Sequence, residues 1–335
     1  MGEMAMDREE GTTTFRRLLE MMGHRPREVM GRVEAEATAT HARDEFMALS
    51  LWLGKCAFLH RLGPGIFPRA VRKELRAPSL FAVYTPNNRP VSLLVEVRSG
   101  SSEVLTFKTG AFEGLRRYAA LVNRPCLVAW RCRGEWTLVD SEIVERGPKG
   151  YVLPLDLAKD NNLMDMILGS FYVSPVKEGI RWRWKIRPEV KEALEKVKRK
   201  EMRKFLETVG DFYYENAEGE KVPIKFKSPL FLMLVYGGLW KPVSYLEEEN
   251  IVEGEDMYEA AGFPAYRLLQ IAEEERAVMK VGGQVDWSRL AQRGTFRFPL
   301  RAVEESVEHA RELKLGCDYI ISIRPKSSPK FLKGV

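Results

Sequence analysis

Two strand-like runs joined by a short turn constrain the fold of this chain most strongly. Residues 78–84 and 91–97 are rich in apolar and β-branched side chains, and the intervening TPNNRP favours chain reversal. They predict a β-hairpin. Glu96 is the only acid within these runs, and a carboxylate with apolar neighbours in a strand needs a partner.

Further elements flank this hairpin on both sides. Residues 41–62 show apolar side chains at helical spacing and run up to Gly-Pro-Gly at 63–65, and residues 111–122 carry a second helical stripe. Residues 126–140 predict two strands around Gly134. The order helix, strand, strand, helix, strand, strand predicts an α/β or α+β domain with helices flanking a central sheet.

This order and its residues resemble the PD-(D/E)xK nuclease superfamily, whose restriction-endonuclease-like fold is shared by Holliday junction resolvases and many restriction and repair nucleases. That family has an Asp, often after Pro, and then an acid-x-Lys on the next strand. Here Pro78 and Ser79 fall at the first position, and Glu96 and Arg98 fall at the second. The resemblance covers residues 40–140 and implies a central mixed sheet flanked by helices.

The resemblance also implies a chemistry for these positions. In the family, two carboxylates hold Mg²⁺ and the Lys orients or activates the attacking water. In this sequence Ser79 replaces one carboxylate and Arg98 replaces the Lys, so only Glu96 matches. A guanidinium binds phosphate bidentately but does not readily act as a base. The resemblance therefore implies a nucleic-acid-binding protein with a decayed cleavage site, with DNA favoured over RNA.

A rearranged active site is the first alternative. Glu45 on the first helix and Glu96 would hold Mg²⁺, and Lys108 would serve as a migrated Lys, which makes the chain a metal-dependent phosphodiesterase with endonuclease or exonuclease activity. Structural interpretations also remain open. Glu45 could be an exposed acid in a first helical turn, Lys108 a surface residue, and Glu96 an acid paired with Arg98 or with an arginine on the neighbouring helix.

Charge is distributed unevenly around a net value of +6. Residues 171–209 carry twelve Lys or Arg against six acids, and 179–188 alternate apolar and basic residues as a strand does. The basic face could follow a phosphate backbone, or it could be the solvated face of a half-buried strand. Its members are the candidate nucleic-acid-binding residues Arg181, Arg183, Lys185 and Arg187.

The acidic stretch 245–280 carries ten acids against three basic residues. It could face a protein partner, and a third interpretation of the chain is a non-enzymatic scaffold subunit.

Helices are predicted at 156–171, 188–209, 264–280 and 300–315.

Three domains are predicted: a helical extension at 1–40, the nuclease-like core at 41–147, and a C-terminal α+β domain of unassigned family at 151–335. No apolar run approaches the roughly 20 residues that cross a bilayer, and the first residues do not resemble a secretory signal. We therefore expect a cytoplasmic protein without a membrane segment.

Overall fold

The computed structural model describes residues 26–63, 65–72, 74–175, 181–185, 212–215, 218–223, 240–246, 251–256, 263–278, 285–296, 298–314, 317–320, 325–326 and 329–332. Within these ranges the helices are α1 (Pro26–Trp52), α2 (Thr109–Leu121), α3 (Leu155–Asp160), α4 (Tyr266–Val278), α5 (Trp287–Arg293) and α6 (Leu300–Glu312). The strands of the first half are β1 (Cys56–Arg61), β2 (Leu80–Tyr84), β3 (Val91–Gly100), β4 (Val104–Phe107), β5 (Cys126–Cys132), β6 (Glu135–Asp140), β7 (Glu145–Gly147) and β8 (Gly150–Pro154). Those of the second half are β9 (Tyr172–Pro175), β10 (Arg181–Lys185), β11 (Phe212–Glu215), β12 (Lys221–Pro223), β13 (Trp240–Leu246), β14 (Ile251–Asp256), β15 (Phe263–Pro264) and β16 (Cys317–Ile320).

A five-stranded mixed sheet organises the first half of the chain. Its strands follow the order β1-β2-β3-β5-β6, with β3 and β5 parallel and the other neighbours antiparallel. The predicted hairpin is therefore confirmed as β2 and β3, and α2 makes the connection between the parallel pair that this topology requires. The predicted class, a central mixed sheet flanked by helices, is also confirmed and is consistent with the restriction-endonuclease-like fold.

The described parts of the second half combine strands and helices. One five-stranded sheet has the order β12-β11-β10-β14-β13, and a three-stranded sheet has the order β15-β9-β16. In the first half of the chain, strands β4, β8 and β7 form a further three-stranded sheet. The predicted strand at 179–188 is confirmed as β10, and the predicted helices at 264–280 and 300–315 are confirmed as α4 and α6.

The two faces of the central sheet bury different clusters. Along β3, Leu93, Val95 and Val97 contribute to the core that also contains buried residues of α1 and α6. Leu94 packs instead with Ala119 of α2. Because side chains alternate along a strand, Glu96 and Arg98 share the α2 face with Leu94. We call these two sides the α1 face and the α2 face.

The predicted helix at 41–62 is wrong in its second half. The α-helix ends at Trp52, and Gly54 adopts a positive φ of 79°, a conformation that side chains disfavour. Cys56 and His60, whose spacing continues the helical pattern, lie instead on strand β1, which pairs with β2.

The predicted helix at 156–171 is also interrupted. Its residues form α3 and then a π-helical turn, Met164–Leu168. Between them the Asn162 side-chain oxygen accepts hydrogen bonds from the backbone amides of Leu138 and Met164, which fixes a break in the helix. The predicted helix at 188–209 lies outside the described residues.

Helix α1 runs through residue 40 without interruption. The division into domains at 1–40, 41–147 and 151–335 stays a prediction. Among the helices that the structure describes, none is long and apolar enough to cross a bilayer.

Candidate functional site

Both carboxylate oxygens of Glu96 are occupied by groups of this chain. Oε2 accepts hydrogen bonds from the Ser79 backbone amide at 3.1 Å and from the Ser79 hydroxyl at 3.0 Å. Oε1 lies 2.8 Å from a guanidinium nitrogen of Arg98 and 3.6 Å from one of Arg76. Glu96 is buried. Both oxygens of this strand carboxylate are therefore already engaged by hydrogen-bond donors of the same chain.

The sheet itself brings these groups together. Ser79 directly precedes β2 and lies beside Glu96 in the antiparallel ladder, and its hydroxyl also accepts a hydrogen bond from the Val97 amide at 3.1 Å. Arg98 follows Glu96 by two positions and so projects from the same face. Its guanidinium lies 5.3 Å from the centre of the Phe107 ring, within cation–π range.

Burial and charge act in opposite directions on Arg98. Desolvation lowers the pKa of the Arg98 guanidinium, the carboxylate of Glu96 raises it, and the charge on Arg76 lowers it. A guanidinium titrates so far above neutrality that Arg98 stays protonated. It can therefore hold an anion, but it does not accept the proton of an attacking water.

Arg76 reaches Glu96 because a glycine on α2 lets its backbone approach. The Arg76 amide donates to the Gly114 carbonyl oxygen at 3.2 Å. A Cβ at Gly114 would lie 3.2 Å from the Arg76 nitrogen and 3.2 Å from the Glu74 oxygen, which is tighter than ordinary contact. No sequence motif contains Arg76, so sequence patterns do not predict its contact with Glu96. The one local sign of that contact is Gly114, a glycine inside a predicted helix, where another segment can approach closely.

The cluster of Glu96, Arg76 and Arg98 carries one net positive charge. The Arg76 and Arg98 side chains are 44% and 32% exposed, so both are partly open to solvent, and the Nε of Arg98 is buried without a hydrogen-bond partner. A divalent cation would meet this charge and a carboxylate whose oxygens are already bonded. Within the described residues no group of three or more His, Cys, Asp or Glu could hold a metal ion.

Glu45, the other proposed metal ligand, lies on the opposite face of the sheet. Its Oε1 accepts hydrogen bonds from Trp136 Nε1 at 3.0 Å and from Gln270 Nε2 at 2.6 Å, and its Oε2 lies 3.1 Å from Arg131 Nε. Glu45 is fully buried. It joins α1, the central sheet and α4, and the structure does not bring it to Glu96.

The remaining candidates occupy separate places. Lys108 is exposed and precedes the first residue of α2. Arg181, Arg183 and Lys185 lie on β10, the central strand of the second five-stranded sheet, and Arg187 lies outside the described residues.

The register of that sheet places acidic residues beside the basic strand. Arg181 lies opposite both Glu215 and Glu255, and Arg183 lies opposite Glu253. Two acids of the 245–280 stretch thus stand in the same ladder as the basic residues.

Comparisons with known proteins give a limited result. No family model matches the chain, and no curated protein matches it. Among solved structures, the chain is similar to Hjc, a Holliday junction resolvase from the archaeal hyperthermophile Archaeoglobus fulgidus. The identity is 21% and the TM-score is 0.30, with 37% of this chain and 93% of that chain covered.

Proposed function

We propose that this chain is a nucleic-acid-binding protein, with DNA as the favoured ligand, in which Arg76 and Arg98 hold backbone phosphate where a nuclease would hold metal. The observation that carries the proposal is the occupation of both Glu96 oxygens by Ser79 and the two arginines. The carboxylate serves to orient two guanidinium groups. Guanidinium groups donate hydrogen bonds to the paired oxygens of a phosphodiester, and both side chains are partly exposed.

The same arrangement argues against cleavage at this site. Phosphodiester hydrolysis by the metal-dependent route needs an open carboxylate set for the cation and a group that orients or deprotonates water. Here Ser79 offers a hydroxyl that is already bonded, and Arg98 stays protonated. A rearranged site would need Glu45 and Glu96 to share one cation, and these lie on opposite faces of the sheet.

Binding of a labelled DNA duplex, followed by fluorescence anisotropy between about 50 and 200 mM salt, tests the proposal. Wild-type affinity should fall steeply with salt. Arg76→Gln keeps the closer contact of Arg98 with Glu96, so the fold should survive. We expect this variant to bind more weakly and to lose about one phosphate contact from the salt slope.

Arg301→Gln is the matched control, because Arg301 is an exposed arginine paired with a glutamate on α6, whose buried residues pack on the α1 face. It removes the same charge from the opposite side and should leave the slope unchanged. Equal losses in both variants would indicate nonspecific attraction and would contradict the proposal. Absence of any salt-sensitive binding in the wild type would favour a scaffold role.

A further inference from the structure

The sheet face that carries Glu96 continues beyond α2 as an exposed aromatic surface. On β1, Leu59 packs into the core of the α1 face, so its neighbours Phe58 and His60 project to the α2 face. Phe58 is 51% exposed, His60 is also exposed, and Phe81 of β2 lies half-buried beside them. We call Phe58, His60 and Phe81 the aromatic strip.

The rings of the aromatic strip form one continuous surface. The Phe58 and His60 rings are nearly parallel, with 13° between their planes and centroids 6.3 Å apart. Phe58 meets Phe81 edge-on at 6.2 Å. A phenylalanine this exposed on an edge strand forgoes the stabilisation that burial would give. Flat ring faces open to solvent are the surface on which unpaired bases stack.

The aromatic strip lies two residues along the strands from Glu96, whose carboxylate contacts Arg76 and Arg98. His60 pairs with Phe81, and Phe81 pairs with Leu94, two residues before Glu96 on β3. The row of His60 and Phe81 is therefore about 7 Å from the row of Ser79 and Glu96 along the strands. A polymer chain that crosses this face would meet first the aromatic rings and then the guanidinium groups, which donate hydrogen bonds to phosphate.

The segment around the strip carries matching charge. Residues 55–76 contain six Lys or Arg and a single acid, Glu74. Arg61 is paired with Asp44 on α1, but Lys55, Arg69 and Arg72 are exposed. This excess of positive charge suits a polyanion with apolar flat groups. It does not suit a second copy of the same basic segment, which would bring like charges together.

We propose that the aromatic strip is a binding site for single-stranded nucleic acid, in which unpaired bases stack on Phe58 and His60 while the adjoining phosphates reach Arg76 and Arg98. The inference rests on the proposed function and adds to it a strand preference. In a duplex the bases are stacked on one another, so their faces cannot reach the strip. An unpaired strand leaves those faces free.

Anisotropy with labelled strands of about 16 nucleotides tests the inference. The probes are oligo(dT), oligo(U), a DNA duplex of the same length, and a strand with abasic sites throughout its middle. Phe58→Leu keeps an apolar side chain without the ring, Phe58→Tyr keeps the ring, and Val104→Ala truncates an exposed apolar residue on β4 in another sheet.

We expect Phe58→Leu to weaken oligo(dT) binding at least about fivefold, with Phe58→Tyr and Val104→Ala close to wild type. Binding of the abasic strand and of the duplex should not change in Phe58→Leu. Comparison of oligo(dT) with oligo(U) shows whether the DNA or the RNA strand binds more tightly, and a preference for either strand over the duplex agrees with the inference.

Three results would overturn it. Unchanged oligo(dT) affinity in Phe58→Leu, with salt-sensitive binding intact, would reject the strip and leave the proposed function standing. Self-association of the wild type that Phe58→Leu abolishes, without an effect on strand affinity, would show that a second copy covers the strip. No binding of any probe would reject both proposals together.

Discussion

Arg98 lies two residues after Glu96 on the same strand, and its guanidinium contacts the carboxylate at 2.8 Å. The resemblance gives these two positions to a metal ligand and a catalytic lysine, whereas here they neutralise one another. Arg76 approaches the same oxygen from a different segment. The two arginines therefore bring two positive charges to one buried carboxylate.

Removal of the Glu96 carboxylate should destabilise the fold. In Glu96→Gln the two guanidinium groups lose their counter-charge, and because both are partly solvated we expect a loss of about 2–3 kcal/mol in the free energy of unfolding. Urea denaturation measures it. Glu103→Gln, which breaks an exposed pair with Arg133, should cost less than about 1 kcal/mol. Equal small losses would mean that Glu96 is not held as described.

Insertion of a methyl group at Gly114 should displace Arg76. The new Cβ of Gly114→Ala would press on backbone atoms of Glu74 and Arg76, so DNA affinity should fall toward that of Arg76→Gln. Gly110→Ala on the same helix meets no atom within 4 Å and should leave affinity unchanged. Anisotropy titration of both variants measures this. Full affinity in Gly114→Ala would show that Arg76 does not contribute.

Glu45 should matter for stability and not for binding. Glu45→Ala removes a buried acceptor from Trp136, Gln270 and Arg131, and we expect a loss of about 3–5 kcal/mol in the free energy of unfolding. DNA affinity of the folded variant should equal that of the wild type, because Glu45 faces the other side of the sheet. A variant of unchanged stability that has lost nucleic-acid binding would contradict this assignment.

His41 should make the fold less stable in mild acid. Burial, with a contribution from Arg131, lowers the pKa of His41 below its ordinary 6.5 against the opposing effects of Glu45 and Glu274. The unfolded chain therefore takes up this proton at a higher pH than the folded chain does. Stability is retained above about pH 6.5 and falls as the pH drops toward the lowered value.

Partial desolvation and the charge of Glu45 raise the pKa of Glu274, so that its titration has the opposite effect on stability at lower pH. His41→Gln removes the titration of the histidine and, with it, the charge of His41 that lowers the pKa of Glu274, while the Glu274 carboxyl itself is retained. Denaturation curves at a series of pH values should show a smaller acid loss in His41→Gln. Parallel curves would indicate that His41 titrates normally.

The hairpin and the helix that follows it were predictable because their signals are local. Two runs rich in apolar and β-branched residues, separated by TPNNRP, specify β2 and β3, and the apolar stripe at helical spacing specifies α2. The sequence predicts helix where strand β1 lies, because apolar residues at helical spacing continue through Cys56 and His60. The conformation of Gly54 ends the helix there, and a lone glycine is a weak signal.

The partners of the candidate residues were less predictable. Ser79 and Arg98 could be placed near Glu96 because strand register fixes them. Arg76 reaches the same carboxylate from an irregular segment packed on α2, and Gln270 reaches Glu45 across 225 residues of sequence. Such contacts follow from tertiary packing, which periodicity within one segment does not encode.

We propose that the Glu96 site binds nucleic acid without metal and without cleavage. The most direct test of this proposal incubates the protein with supercoiled plasmid and with single strands, in Mg²⁺ or Mn²⁺ and in chelator, beside Glu96→Gln. We expect intact nucleic acid under every condition, and salt-sensitive retention by the wild type both with metal and with chelator. Cutting that requires the metal and disappears in a folded Glu96→Gln would contradict it.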